Sequence, residues 1–161
     1  MKKILLFAGS NSAQSINRKI VEQAAGMLNG YKASLIDLRD FPLPLFSVDT
    51  EEQEGVPESA HKLRELFHEH DGFVVSIAEH NASVTTAFKN TMDWLSRTQE
   101  DYRILLGKQV WLLSTSPAES GGGQRPGGCQ SDLFHTGSGG GWCHRYRQLL
   151  WYQPRRYSAT G

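Results

Sequence analysis

Several features that would narrow the function are missing from this 161-residue sequence. It has two cysteines, Cys129 and Cys143, whose spacing matches no metal-binding or redox motif. No segment approaches the ~18 consecutive apolar residues of a membrane span, and the apolar run after Lys3 is too short for a signal peptide. The 17 basic and 17 acidic residues cancel, which argues against capture of nucleic acid or an anionic membrane by charge. These absences predict a cytoplasmic, domain-sized protein with no membrane or nucleic-acid partner.

Familiar catalytic motifs are missing as well. The sequence contains neither the G-x-G-x-x-G dinucleotide fingerprint nor the G-x-x-x-x-G-K-[ST] P-loop. It lacks the G-x-S-x-G nucleophile motif, and no cysteine or acidic cluster near His80 offers a metal site. We therefore predict no metal ion and no serine nucleophile.

Residues 125–161 differ in composition from the rest of the chain. This segment contains no Val, Ile, Lys, Glu, Asn or Met, but it holds seven glycines and five arginines. Basic and acidic residues number 12 and 16 before it, and 5 and 1 within it. The contrast predicts a compact domain over 1–124 and a poorly ordered Gly/Arg-rich tail over 125–161.

Residues 1–124 have the alternation of an α/β protein. Short apolar runs predict strands at 3–8, 33–38, 73–77 and 110–113. Apolar residues at helical spacing predict helices after Ser15, from Pro57 to His70, and from near Val84. The Pro-rich segment 41–46 predicts a semi-rigid loop, and the acidic segment 51–54 predicts a solvated loop. Strands that alternate with helices predict a parallel sheet between two helical layers, and both Trp94 and Trp111 are expected in its core.

Small and polar residues follow three of these strands, in loops at 9–17, 78–83 and 114–123. The carboxyl ends of parallel strands are where such sheets bind ligands. The first loop combines Gly9 with hydroxyl and amide side chains and leads directly into a helix, which favours a phosphate monoester. An ordinary Ser-capped turn is the alternative. In the second loop a carboxylate, an imidazole and an amide could bind a polar heterocycle, although His80 alone is more often a surface residue. A linker is the alternative for the third loop.

The same three loops match one motif set in order. G-S-x-R-x-x-S-x-N is matched by Gly9, Ser10, Ser15 and Asn17, with Ser12 in place of arginine. P-E-Y-N-x-S followed by L-K-N-x-x-D-W is matched by Glu79, Asn81, Ser83, Lys89, Asn90, Asp93 and Trp94, with Ala78 and His80 replacing the proline and the tyrosine. S-x-S-P-x-x-x-G-G is matched by Ser114, Ser116, Pro117, Gly121 and Gly122. In these segments, residues 3 to about 124 resemble the NAD(P)H-dependent FMN reductases, flavodoxin-like proteins that include quinone, chromate and azo-dye reductases.

The resemblance implies a flavodoxin-like three-layer sandwich and an FMN-dependent oxidoreductase. Electrons would pass from NAD(P)H through FMN to a small acceptor (a flavin, quinone, azo compound or metal oxyanion) in a ping-pong cycle. It also implies a homodimer or homotetramer. The implied cofactor-binding residues are Gly9, Ser10, Ser12, Ser15, Ile16, Asn17, Glu79, His80, Asn81, Ala82, Ser83, Ser114, Ser116, Pro117, Gly121 and Gly122.

Beyond about Gln124 the tail departs from this family and has the composition of a frame-shifted segment. Read one nucleotide later, permitted codons for 138–153 can spell a segment that begins like a fifth strand. The DNA sequence tests this hypothesis. An intact single reading frame that encodes a related tail in close relatives would refute it. The fifth strand is accordingly expected to be missing or replaced, which would leave the fourth with an unpaired edge.

Other functions stay open at this point. A flavodoxin-type electron carrier would bind FMN without reacting with NAD(P)H, although the hydroxyl-rich carrier motif and a strongly acidic surface are missing. The Arg- and aromatic-rich tail could act as a nucleic-acid or partner-binding arm, although it has few basic residues. An inactive product of a frame-shifted gene is the last alternative.

Overall fold

The computed structural model describes residues 1–81, 83–99 and 104–115, together with the backbone of residues 147–148. The strands are β1 (Lys3–Gly9), β2 (Lys32–Leu35), β3 (Gly72–Ile77), β4 (Glu79–His80), β5 (Ser83–Val84), β6 (Gln109–Leu113) and β7 (Arg147–Gln148). The helices are α1 (Ile16–Met27), α2 (Val48–Glu54), α3 (Glu58–Glu69) and α4 (Thr86–Ser96), with a 3₁₀ turn at Leu38–Asp40. None of the helices in the described ranges has the length and apolarity that a membrane crossing needs.

The main sheet has the order β2-β1-β3-β6-β7, and the first four of these strands are parallel. Counted along the chain, those four form the 2-1-3-4 arrangement of flavodoxin-like proteins. The order reverses between β1 and β3, so the carboxyl ends of these two strands flank the topological switch point. The prediction of an α/β flavodoxin-like sheet is confirmed.

The sheet separates two hydrophobic cores, as a three-layer sandwich requires. On one face, Leu5 and Phe7 of β1 pack with Leu63 and Phe67 of α3 and Leu95 of α4. On the other face, Ile4, Leu6 and Ala8 pack with Ile20 and Val21 of α1. Alternate residues of β1 therefore enter opposite cores, which explains why this strand is a continuous apolar run.

The end of β1 packs closely against α4 at Gly9. A Cβ atom at residue 9 would lie 2.9 Å from Cδ2 of Phe88 and 3.1 Å from its Cβ. The Gly9 carbonyl also accepts a 2.7 Å hydrogen bond from the hydroxyl of Thr85, the N-cap of α4. Thr85 thereby fixes the start of α4 against the loop that follows β1.

Gly9→Ala is expected to lower the free energy of unfolding by roughly 1–3 kcal/mol, because the added methyl group overlaps the base of the Phe88 side chain. Urea denaturation followed by circular dichroism measures the change. Gly26→Ala is the matched control: nothing lies within 4 Å of a Cβ built there, and alanine favours the helix. The control should leave stability unchanged or raise it, and equal midpoints for the two variants would refute the packing argument.

The loop 41–46 is irregular, as predicted, and α4 fixes its position. Asn90 accepts from the Phe46 amide at 2.8 Å and donates to the Pro44 carbonyl at 2.9 Å. The Trp94 indole donates to the same carbonyl at 2.7 Å, and its ring meets Phe46 edge to face at 5.1 Å between centroids. These contacts form the α4 clamp (Asn90 and Trp94 on Pro44 and Phe46), which gives this loop one defined conformation.

Some sequence predictions were wrong. Segment 51–54 is the second half of helix α2, where Ser47 accepts from the Thr50 amide as N-cap and Glu51 accepts at 2.7 Å from Arg97, the C-cap residue of α4. Strand β2 ends at Leu35 rather than at residue 38, because the side chain of Asp37 caps the following 3₁₀ turn. Trp94 is fully buried as predicted, but Trp111 is 38 % exposed because it lies near the edge of the sheet.

The fifth parallel strand is replaced by the short strand β7. Residues 147 and 148 pair antiparallel with Leu112 and Trp111 of β6. The expected replacement of the fifth strand is therefore present. The expectation that the edge of β6 has no partner was wrong at Trp111 and Leu112. The tail prediction otherwise falls on 125–146 and 149–161, which lie outside the described residues.

Candidate functional site

The described parts of the predicted loops lie at one edge of the sheet, beside the switch point. The Thr85 hydroxyl joins the end of the second loop to Gly9 in the first. The Ser114 hydroxyl donates to the Ile77 carbonyl at 3.0 Å, which joins the start of the third loop to the end of β3. Adjacent parallel strands bring these three chain segments to one edge of the sheet.

Three serines of the first loop line a small pocket, here called the serine pocket. Its lining residues are Ala8, Ser10, Ser12, Ser15, Arg18, Ile36 and Asp37. The hydroxyl of Ser10 accepts from the Ser12 amide at 3.2 Å, and that of Ser12 accepts from the Gln14 amide at 3.3 Å. The cavity measures about 10 Å³, room for about one water molecule, so a larger anion would lie at its mouth.

Ser15 has a structural role within this pocket. As N-cap of α1, its hydroxyl accepts from the Arg18 amide at 3.3 Å. The amides of Ile16 and Asn17, in the first turn, have no protein acceptor among the described residues. The Ser-capped turn is thus real, and it coexists with free donors of the kind that bind anions.

Asn17 does not line the pocket. Its side chain is buried, and its Oδ1 accepts a 2.7 Å hydrogen bond from the hydroxyl of Ser76 in β3. The pair joins the first turn of α1 to the central strand beneath it. Direct contact of Asn17 with a cofactor remains a prediction, as it does for Gly9 and Ile16, which also lie outside the lining.

Two charged residues of the pocket, Arg18 and Asp37, were missed in the sequence. Arg18 Nε donates to Glu22 at 3.0 Å, and Arg18 Nη1 donates to Asp37. Arg39 also binds the Asp37 carboxylate, through Nη2 at 2.7 Å. Asp37 was overlooked because the predicted second strand ran through it; with the true end at Leu35, it falls at the carboxyl edge where ligands bind.

The second loop is a small hairpin rather than an open loop. Glu79 pairs with Val84, and His80 pairs with Ser83. Asn81 turns the chain with φ 52°, a left-handed conformation that asparagine tolerates. His80, Asn81 and Ser83 are exposed and Glu79 is half-buried. Helix α4 therefore starts at Thr86, two residues after the predicted start, and Ala82 lies outside the described residues.

The third loop is described only at its beginning. Ser114 is half-buried and bonded to Ile77, and Thr115 is buried. Ser116, Pro117, Gly121 and Gly122 lie outside the described residues. Their predicted part in cofactor binding stays a prediction.

A larger groove of about 330 Å³ lies between the hairpin and the loop held by the α4 clamp. Its lining residues are Leu45, Phe46, Ser83, Val84, Thr86, Lys89, Asn90 and Asp93. Leu45 and Val84 expose 73 % and 40 % of their surface, so apolar walls face solvent beside the second loop. Within the described residues, no group of three or more His, Cys, Asp or Glu side chains is arranged for a metal ion.

A doubly wound sheet of flavodoxin-like order, with a hydroxyl-rich loop at its switch point, defines the class of flavodoxin-like proteins. The family model for NADPH-dependent FMN reductases matches residues 2–139. The chain belongs to this family. The matched range extends past Gln124, so the family match does not mark a boundary at that residue.

Several curated proteins are similar to the chain. A quinone reductase of Escherichia coli K12 is 35 % identical over 91 residues, which cover 56 % of this chain and 45 % of that protein. An uncharacterized protein of Mycoplasma pneumoniae is 31 % identical over 124 residues, or 76 % and 72 % of the two chains. An NAD(P)H-dependent FMN reductase of Pseudomonas aeruginosa is 28 % identical over 74 % of this chain and 62 % of its own. The chain thus spans less than half the length of the quinone reductase that it matches.

Solved structures share the fold. The flavoenzyme NAD(P)H:(acceptor) oxidoreductase of Paracoccus denitrificans superposes with a TM-score of 0.61 at 24 % identity, over 74 % of this chain and 63 % of that one. An NADH:FMN oxidoreductase in its apo form gives a TM-score of 0.55 at 19 % identity, over 74 % and 61 %.

Proposed function

We propose that the chain binds FMN and works as an oxidoreductase that passes electrons from NAD(P)H to a small acceptor. The observation that carries this is the serine pocket at the switch point, in a chain that belongs to the NADPH-dependent FMN reductases. The similar proteins named quinone reductase and FMN reductase support the same activity. A flavin, quinone, azo compound or metal oxyanion is the proposed class of acceptor.

The donor set of the first loop fits the phosphate of FMN. Three hydroxyls line the serine pocket, and the amides of Ile16 and Asn17 begin the adjoining helix. Neutral N–H and O–H donors at the start of a helix can bind a phosphate at the mouth of a pocket. A pocket with a small enclosed volume suits this arrangement. We assign Ser10, Ser12 and Ser15 to the phosphate.

The hairpin and the third loop are assigned to the isoalloxazine ring. Glu79, His80, Asn81 and Ser83 belong to the hairpin, which follows β3 at the same sheet edge as the serine pocket. FMN, when bound, supplies the hydride-accepting chemistry. The part of the chain is to bind and orient, and no side chain is assigned as an acid or base.

A ping-pong cycle needs one pocket that serves donor and acceptor in turn. The chain has no dinucleotide fingerprint, so a separate nucleotide site of that kind is not available to NAD(P)H. We propose that donor and acceptor bind in turn in the exposed groove beside the hairpin.

The visible absorption spectrum of the purified protein, after FMN is added and the excess removed, tests the function. We expect a retained flavin spectrum that NADPH bleaches and that an added quinone restores. Retained flavin that NADPH cannot bleach would identify an electron carrier instead. Loss of flavin from a chain whose circular dichroism shows poor folding would identify an inactive product.

The cytoplasmic location, the homodimer or homotetramer, and the division into a 1–124 domain and a 125–161 tail remain proposals. The exposed apolar side chains Leu45, Val48 and Val84 support self-association. Sedimentation velocity decides the oligomer, and a monomer at micromolar concentration would count against it. Limited proteolysis tests the division, which a first cleavage inside 1–124 would contradict.

A further inference from the structure

We infer that Arg18 supplies the positive charge for the phosphate of FMN at the serine pocket; this inference rests on the proposed function. The loop 9–17 contains no charged side chain. A phosphate monoester carries about −1.5 to −2 charges at neutral pH. Neutral hydroxyls and amides supply no full positive charge, and among the described residues Arg18 is the cation that lines the pocket.

The structure holds Arg18 in place before any ligand arrives. Its Nε donates to Glu22 one turn along α1, and its Nη1 donates to Asp37 beside β2. Its side chain is 36 % exposed, so part of the guanidinium still faces solvent. Arginine has five N–H donors, so these two ion pairs leave further guanidinium N–H groups that can donate to a phosphate.

The Asp37 carboxylate would repel an anion in the pocket, and Arg39 pairs with that carboxylate. The Asp37 carboxylate lines the pocket, and its side chain is 11 % exposed. Arg39 donates to it through the backbone amide at 2.9 Å, Nε at 3.0 Å and Nη2 at 2.7 Å. Arg39 pairs with this carboxylate without lining the pocket, and Glu22, the other partner of Arg18, is 46 % exposed and screened by solvent, so Arg18 can direct charge to a ligand.

The comparison of FMN with riboflavin isolates the phosphate, because the two molecules share the ring and the ribityl chain. We expect Arg18→Gln to lower the affinity for FMN by about 10- to 100-fold and to change the affinity for riboflavin less than about threefold. Arg18→Lys keeps the charge and should recover most of the FMN affinity. Quenching of flavin fluorescence in equilibrium titrations measures all of these affinities.

Lys19→Gln is the matched control. It removes an exposed cation of the same helix that does not line the pocket, and it should change both affinities less than about threefold. Arg18→Met, which keeps the aliphatic stem, replaces Arg18→Gln if circular dichroism shows that the glutamine variant is unfolded. An unchanged ratio of FMN to riboflavin affinity in the neutral variant, or an equal loss in Lys19→Gln, overturns the inference. If the unmodified chain binds neither flavin, the proposed function fails together with the inference.

Discussion

A Ser15→Asp variant will fold as stably as the unmodified chain but will bind FMN at least about 100-fold more weakly. Ser15 lines the serine pocket and caps α1 through its hydroxyl. Aspartate is an equally good N-cap, and its charge suits a helix start, so the helix should not be harmed. At an effective dielectric of about 20, two unit charges 4 Å apart repel by roughly 4 kcal/mol, more than the ~2.7 kcal/mol of a 100-fold loss.

Ser15→Asn is the matched control, because asparagine has the shape of aspartate without its charge and also caps helices. We expect it to bind FMN within a few fold of the unmodified chain. Riboflavin should bind all three proteins alike, and urea denaturation should give similar midpoints. Equal FMN affinities of the aspartate and asparagine variants would show that the phosphate does not lie at this pocket.

Trp94→Ala is the substitution for which we expect the largest loss of stability, roughly 3–5 kcal/mol. The side chain is fully buried, its ring meets Phe46 edge to face, and its indole donates to the Pro44 carbonyl. The alanine variant leaves a cavity under the loop 41–46 and removes one half of the α4 clamp. The free energy of unfolding of a domain of this size is about 5–15 kcal/mol, so this substitution would remove a large part of it.

Two further variants separate the contributions of Trp94. Trp94→Phe keeps a ring against Phe46, and the Pro44 carbonyl still accepts from Asn90 at 2.9 Å, so its cost should be only about 1 kcal/mol. Trp111→Ala makes the same truncation at a tryptophan that is 38 % exposed, and it should cost less than Trp94→Ala. Urea midpoints from circular dichroism give the order, and similar losses at both tryptophans would contradict the clamp.

The strands and helices that the sequence identified are those with a complete local pattern. Strand β1 is apolar at every position because it is buried on both faces, and α1 begins at a serine whose capping role is local. Segment 51–54 is exposed as predicted at residues 52–54, but it was misassigned as a loop because its charges hid the helix that Ser47 caps. Its helix also contacts a distant residue, since Arg97 at the C-cap of α4 binds Glu51. A contact between residues 46 positions apart leaves no periodic signal in either segment.

Only part of the candidate site could be predicted from the sequence, because a local motif does not show which distant residues meet. The serines of the first loop are neighbours in sequence, so a loop motif could identify them. Arg18 and Asp37 are 19 positions apart and meet only when α1 packs beside β2. The α4 clamp likewise shows that Asn90 and Trp94 of the K-N-x-x-D-W match bind a protein loop, which the motif alone does not state.

The sequence by itself determined the α/β alternation, the hydroxyl-rich loop after β1 and the family resemblance, because each depends on residues close together in the chain. The tertiary structure alone decided which charges enter the serine pocket, that Asn17 points inward to Ser76, and that a two-residue antiparallel strand borders β6. The physical reason is that strand order and helix packing bring distant residues together. Short-range patterns of hydrophobicity and turn residues do not encode those pairings.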